Sequence, residues 1–269
     1  MNGQADTAAA QGAVMTRPLI YDTTLTQRQA EMNPEDRIKL AERLKNFGLD
    51  MIEGGWPTVY PLDRIFFKRV QAELTDDVRA ALVAMAPVPA AADSEKVVAE
   101  LLASGTGHVG LALAAVGAEG VWASEQHVEQ AATTIAALVA GLEGGAGRHV
   151  IVHVHNAFDA WRRDREHVAT MLRSLVAAGA GVVVLVDSGG GATPWEVDET
   201  VQALRGSHRD VLGDALLGVG CRDDSETAVA STLFAARSGA QVGSPAQHKG
   251  DYLLILVESL TLQSSTTVD

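Results

Sequence analysis

A single (β/α)8 barrel of the α/β class is the architecture expected of this chain, on three grounds. Short apolar runs alternate with longer amphipathic stretches about eight times between residues 17 and 262, and alternation of this kind builds a parallel sheet. Fitting them all into a chain of 269 residues suits a closed barrel, which is routinely one domain of about 250 residues. No GxGxxG follows the first apolar run, which weighs against an open dinucleotide-binding sheet. The expected organisation is a small, polar tail over 1–16, the barrel over 17–262 and a second tail over 263–269.

The elements follow in order. The apolar run 19–21 ends at Asp22 and is the first strand. A helix is predicted over 34–47 from the spacing of Ile38, Ala41, Leu44 and Phe47, with Asn33 as N-cap, Pro34 in the first turn and Gly48 as the stop. Strand 50–53 and helix 61–74 come next, then strand 80–85, helix 93–104 and strand 108–113. A long helix over 124–142 runs into Gly144 and Gly145, and strand 149–155 leads to a helix over 164–178 stopped by Gly179. The run 181–186 is apolar throughout, as a strand buried on both faces should be. Helix 194–204, strand 216–219, helix 225–237, strand 240–242 and helix 250–262 complete the pattern.

Composition narrows the function. A chain 47% hydrophobic and 20% charged can bury a sizeable core, and with 4% aromatics Ala, Val and Leu must fill it. The net charge of −13 argues against a nucleic-acid partner, which needs clustered positive charge. Cys221 is the one cysteine, so no intrachain disulfide can form. The first 18 residues lack the basic and apolar regions of a secretory signal. No apolar run approaches the roughly 20 residues that span a bilayer. A cytoplasmic protein is expected.

Barrels of this kind work at the C-terminal ends of their strands. Asp22, Glu53, His153, His155, Asp187 and the segment 220–224 all fall where a strand gives way to a loop. His153 and His155, two apart on a strand, share a face, and imidazoles about 7 Å apart at the backbone can chelate one ion. The alternative is a satisfied polar residue at the rim beside one that packs sideways. Glu53 suits a general base or a substrate-orienting acid, or else a rim carboxylate paired with Arg28 or Arg222. Asp22 and Asp187 either act on substrate or cap the following loops by accepting backbone N–H bonds. Gly189, Gly190 and Gly191 would let a phosphate or acyl chain approach closely. Cys221 has Arg222 beside it, which lowers a thiol pKa, although a lone cysteine at a strand end is more often inert. His248 and Lys249 read as solvated.

Three segments resemble a known family. They are Ile20-Tyr21-Asp22-Thr23-Thr24-Leu25 followed by Gln29-Ala30-Glu31, then Ile52-Glu53-Gly54-Gly55-Trp56-Pro57, then Val186-Asp187-Ser188-Gly189-Gly190 with Pro194 and Glu196-Val197. They are similar to the first, second and sixth strands of the citramalate, 2-isopropylmalate and homocitrate synthases, with weaker similarity over 18–262. The resemblance implies deprotonation of acetyl-CoA and addition of the carbanion equivalent to a 2-oxo acid. A divalent metal polarises the oxo acid and an arginine steadies the oxyanion. In those enzymes an Arg-Asp pair follows the first strand, a glutamate ends the second and His-x-His-Asn ends the seventh. The aspartate and both histidines hold the metal.

This chain departs from that pattern. Thr26-Gln27-Arg28 stands where the family has Arg-Asp-Gly, so the metal aspartate has no counterpart and Arg28 is the candidate for the arginine. Gly220 and Arg222 fall where the two metal histidines belong, and the Gly-Glu-Arg loop after the eighth strand is reduced to 244–249. His153-Val154-His155-Asn156 is not the inherited motif. Val150-Ile151, Phe158-Asp159 and Trp161 around it match the fifth strand, where the family carries Asp-Ala-Glu-His-Phe-Phe-Asp.

Two functions are expected to compete. One is an enzyme making or breaking a carbon–carbon bond on a small 2-oxo acid or related carboxylate, with the acetyl-CoA condensation lost or altered. Glu53, Asp22 and Arg28 would then be catalytic, and Asp187, Ser188 and Arg222 would bind substrate. His153 and His155 would hold a relocated zinc or iron(II), since two histidines and a carboxylate suit those ions better than magnesium. The other is a non-catalytic barrel serving as a binding or partner subunit. Arg222 decides between a metal and an anion, because a fixed cation inside the mouth repels the one and attracts the other. A homodimer is expected from the resemblance.

Overall fold

In the computed structural model, which describes residues 17–27, 32–117, 119–142, 148–222 and 226–245, each strand pairs in parallel with the next and β8 closes on β1. β1 (Leu19–Asp22) is followed by a one-turn helix α1 (Thr24–Gln27), α2 (Pro34–Asn46) and β2 (Met51–Gly55). α3 (Pro61–Glu73) and α4 (Asp76–Ala81) lead to β3 (Leu82–Pro87), then α5 (Ser94–Leu102), β4 (His108–Ala114), α6 (Glu125–Gly141) and β5 (Val150–His155). α7 (Ala157–Arg163), α8 (Arg165–Ala177), β6 (Val182–Asp187) and α9 (Pro194–Arg205) follow, then β7 (Leu216–Cys221), α10 (Ala228–Arg237) and β8 (Val242–Pro245). Closure is made by Leu19 opposite Val242 and Ile20 opposite Gly243. Among the described residues no helix is long and apolar enough to cross a membrane.

Local chemistry explains where the helices start and stop. The Asn33 side chain accepts the Asp36 N–H and Pro34 opens α2, while Gly48 beyond its end adopts φ 95°, a conformation that costs a glycine little. Thr193 and Glu196 form a reciprocal capping box that fixes α9 directly after the β6 loop. α4 and α7 go beyond the sequence reading. α4 is six residues long with Val78 and Ala81 as its buried side chains, too short a span to show a period. β3 accordingly begins at Leu82 rather than at 80, and α10 begins at Ala228 rather than at 225. The helix expected over 250–262 and both expected tails lie outside the described residues.

Strand periodicity divides the interior into two cores. Tyr21, Met51, Val83, Met85, Ile151, Val182, Val184 and Val242 pack inside the barrel. Their neighbours of opposite parity, such as Ile20, Ile52, Val152, Val183 and Leu185, pack outward against the helices. This parity decides which residues at the strand ends can reach the mouth.

Candidate functional site

Counting in twos from the inner core carries three polar side chains to the C-terminal opening. Glu53 follows Met51 on β2, and His153 and His155 follow Ile151 on β5. They line a cavity of ≈ 230 Å³ together with Thr23, Thr26, Gln27, Trp56, Val184, Val186, Gly220, Cys221 and Arg222.

Glu53 is 5% exposed. Its Oε2 accepts the Tyr21 hydroxyl at 2.9 Å, and its Oε1 accepts the Trp56 indole N–H at 3.0 Å. Burial raises its carboxyl above the usual range, against the pull of these donors. Tyr21 is pushed well above its ordinary value, first by burial and then by the Glu53 charge.

The turn that presents Glu53 and Trp56 is held from behind. Gly55 adopts φ 138°, and a Cβ there would lie 2.5 Å from the Asp63 carboxyl carbon. Asp63 accepts the Trp56 backbone N–H at 2.6 Å and pairs with Arg37 at 2.7 Å. Arg37 donates to the Gly54 carbonyl at 2.5 Å and lies 4.4 Å from the Phe66 ring centroid. So Gly54-Gly55 allows backbone and carboxylate to approach where any side chain would intrude.

His153 is buried against Tyr21, with ring centroids 5.0 Å apart. Its Nδ1 lies 4.0 Å from Glu53 Oε2, and its Nε2 is buried without a hydrogen-bond partner among the described residues. Burial lowers its pKa to about 4. The His155 ring lies 6.3 Å from that of His153, and its Nδ1 is 3.0 Å from Ser188 Oγ. Its pKa falls to about 4, by burial first and then by His153, with Glu53 opposing. Both rings are therefore neutral at pH 7. Arg222, just past β7, donates from Nη1 to the Ser188 carbonyl at 3.2 Å and supplies the cavity rim with a permanent cation. Burial pushes the Cys221 thiol up to about 12, which disfavours the thiolate that a nucleophile needs.

Some residues expected at the site stand elsewhere. Asp22 and Asp187 end their strands at the same opening, but with the parity of Ile20 and Leu185, so neither lines the cavity. Asp22 accepts the Thr24 N–H at 3.0 Å and its hydroxyl at 2.9 Å, and Asp187 accepts the Ala192 N–H at 3.0 Å along with those of Gly190 and Gly191. That is the loop-capping alternative. Ser188 stands behind His155 rather than in the cavity. Arg28, residues 223–225, His248 and Lys249 lie outside the described residues. Tyr21 and Trp56 were missed as partners of Glu53. Strand parity would have found Tyr21, and the IEGGWP segment held the signal for Trp56.

The residues present do not fit the divalent metal that the resemblance implies. Gly220 offers no ligand atom at the end of β7, and Arg222 places a fixed positive charge there. Among the described residues no three His, Cys, Asp or Glu side chains converge in a way that could hold an ion. The two capping aspartates are not among the residues that line the cavity with the histidine pair.

Comparisons with known proteins agree with this architecture. The chain is 34% identical over 238 residues to the (R)-citramalate synthase of Streptomyces coelicolor, covering 82% of this chain and 41% of that protein. It is 31% identical over 233 residues to the (R)-citramalate synthase of Synechocystis, covering 82% of this chain and 42% of that one. A 2-isopropylmalate synthase of Syntrophus aciditrophicus is 27% identical over 229 residues, with 84% of this chain and 43% of that protein covered. The chain thus spans about two fifths of the length of these relatives. Among solved structures, hydroxymethylglutaryl-CoA lyase from Pseudomonas aeruginosa superposes with a TM-score of 0.68 at 19% identity, over 91% of this chain and 86% of that one. The carboxyl transferase domain of Rhizobium etli pyruvate carboxylase with oxalate gives 0.66 at 16%, over 91% and 43%, a likeness of fold. The family model described as HMGL-like matches residues 18–244. With that span matched and the citramalate synthases above 30% identity, the chain belongs to the HMGL-like family, beside the citramalate and 2-isopropylmalate synthases.

Proposed function

We propose that the barrel mouth takes a small 2-oxo acid or related carboxylate and acts at the carbon beside its carbonyl, as a diverged carbon–carbon bond enzyme whose acetyl-CoA condensation is lost or altered. The observation that carries the reading is one cavity with Arg222 at its rim and Glu53, His153 and His155 in its wall. At ≈ 230 Å³ it is smaller than the roughly 300–1,000 Å³ of drug-sized ligand sites, which suits a metabolite of a few carbons. The guanidinium matches a carboxylate in charge and in bidentate geometry. The same charge disfavours a metal at this position, because like charges at close range in a partly buried site repel by several kcal/mol.

Family membership supports the substrate class. The relatives with curated names are citramalate and 2-isopropylmalate synthases, and a structural neighbour was solved with oxalate. The test is calorimetric titration of the protein with pyruvate and with oxalate, in the presence of a chelator. Binding that survives chelation and weakens at least about tenfold in Arg222→Ala supports the reading, tenfold being about 1.4 kcal/mol. No binding of either, or binding abolished by chelation, overturns it. Binding without any reaction at the bound carbonyl compound would favour the non-catalytic barrel.

A further inference from the structure

His153 and His155 share one strand face, yet the atoms behind their rings differ in a way that sets where each proton sits. Behind His155, Ser188 Oγ receives the Asn156 backbone N–H at 3.1 Å and stands 3.0 Å from His155 Nδ1. The backbone N–H can only donate, so the Ser188 oxygen accepts there and its own proton is available to Nδ1. Asn156 adopts φ 56°, unusual for a residue other than glycine, and its side chain is tied to the Val116 carbonyl at 2.6 Å. That strained turn holds the Ser188 contact in place. With that proton given to Nδ1, His155 carries its hydrogen on Nε2 and presents a donor to the cavity it lines.

Behind His153 stands a negative charge instead. Glu53 Oε2 faces Nδ1 at 4.0 Å, while the indole N–H of Trp56 and the Tyr21 hydroxyl hold the carboxylate in position. At 4.0 Å this is a charge contact and not a hydrogen bond, and a carboxylate on that side favours the Nδ1–H form. Nε2 is then a lone pair. It is buried, has no hydrogen-bond partner among the described residues and is part of a ring that lines the cavity, so a ligand would be the partner it lacks there.

We propose that β5 carries a split acid–base pair, His153 accepting a proton at Nε2 and His155 donating a hydrogen bond from Nε2–H to the carbonyl oxygen of the bound compound. This rests on the reading above that the cavity holds a small 2-oxo acid through Arg222. His153 Nε2 removes a proton from the carbon beside the carbonyl. The C–H electron pair becomes the new C=C bond, and the carbonyl π pair moves onto the oxygen, where His155 Nε2–H holds the enolate. Glu53 balances the His153 imidazolium. The reverse step returns a proton, or a deuteron when the imidazolium has exchanged with heavy water, so no oxidant or further reactant is needed. Stabilising the oxygen is the task a divalent metal performs elsewhere, and a neutral N–H does it beside Arg222 without repulsion. Ser188 is a positioning residue that acts through His155.

Long-range proton–nitrogen NMR of the histidine-labelled full chain tests this, with His153→Gln and His155→Gln assigning the signals. The expected result is Nδ1–H for His153 and Nε2–H for His155. Ser188→Ala should mix the His155 tautomers, and Ser188→Thr should restore them. The same protein with pyruvate in heavy water should exchange the methyl protons. His153→Gln should lose that exchange at least about tenfold, and Ser188→Ala should reduce it while pyruvate still binds. One tautomer at both histidines, or a His155 signal indifferent to Ser188→Ala, overturns the split pair. Pyruvate bound to the wild type without exchange overturns the base role. Split tautomers in a protein that binds neither pyruvate nor oxalate would remove the substrate reading alone.

Discussion

Arg37 Nη1 lies 2.7 Å from Asp63 Oδ1, with the two side chains 1% and 0% exposed, and this pair fixes the turn that carries Glu53 and Trp56. A buried ion pair repays little more than its own desolvation, but removing one partner leaves the other charged and unsolvated. Asp63→Ala is expected to cost about 3–5 kcal/mol in urea unfolding. Replacing both partners, as Arg37→Met with Asp63→Leu, should cost less than Asp63→Ala alone. Equal losses would mean that Asp63 matters as the acceptor of the Trp56 N–H rather than as a counter-ion.

Gly55→Ala addresses the same turn from the backbone. The glycine holds φ 138°, and the new Cβ would stand 2.5 Å from the Asp63 carboxyl carbon. Strain of this backbone type alone is of order 1–3 kcal/mol, and the overlap displaces Asp63 as well. Lower stability together with weakened carboxylate binding is expected from parallel unfolding and calorimetric titrations. Gly191→Ala, where a Cβ would meet nothing within 4 Å among the described residues, is the control.

Stability should fall in acid for a definable reason. At the other end of the barrel His108 is buried, stacked 5.5 Å from His149, and its Nδ1 accepts the His149 N–H at 3.1 Å. Burial first, then the charges of His149 and Arg148, lower its pKa to about 4. The unfolded chain takes up this proton near the ordinary value of about 6.5. Between about 4 and 6.5 the unfolded state therefore binds more protons, and stability rises with pH. The contribution is full above the upper limit and is lost as pH falls toward the lower one. His153 and His155 shift in the same direction. His108→Asn keeps an acceptor for the His149 N–H and should flatten the slope by up to one proton, about 1.4 kcal/mol per pH unit. An unchanged slope would locate the protons elsewhere.

Zinc or iron(II) titrated into the wild type, His153→Ala and His155→Ala should bind weakly and equally in all three. Two tight, histidine-dependent nitrogen contacts would show as a clear loss of affinity in each variant. That result would restore the relocated metal site and displace the anion reading.

With acetyl-CoA and pyruvate supplied together, CoA release followed with a thiol reagent should stay at the protein-free rate. The sole cysteine is buried and gives little background. Release at rates of roughly 1–1000 per second would mean that the replacements after β1 and on β7 leave the inherited reaction working.

The order of strands and helices was legible because hydrophobic period and caps are local. Asn33-Pro34 opens α2 and Thr193 opens α9 as their side chains dictate. The all-apolar 181–186 run is a strand covered on both faces. α4 escaped notice because six residues carry less than two helical turns of pattern. At the site, the places of Glu53, His153, His155 and Arg222 at strand ends were legible, and for Asp22 and Asp187 the same signal left open whether they face the cavity or the loops they cap. A strand end places a residue at the opening without saying which way it faces.

That direction is what the tertiary structure alone decided. Alternation along β1 makes Tyr21 and Asp22 face opposite ways, but closure of the barrel determines which of them faces in. The contacts that give the histidines their chemistry are likewise non-local. Ser188 reaches His155 across 33 residues, and Tyr21 reaches Glu53 across 32. The sequence by itself determined that a barrel forms and that two histidines, a glutamate and an arginine stand at the ends of its strands. The side of each imidazole that carries the proton follows from partners on neighbouring strands, because a tautomer is set by the nearest donor or charge and not by the residue that bears it.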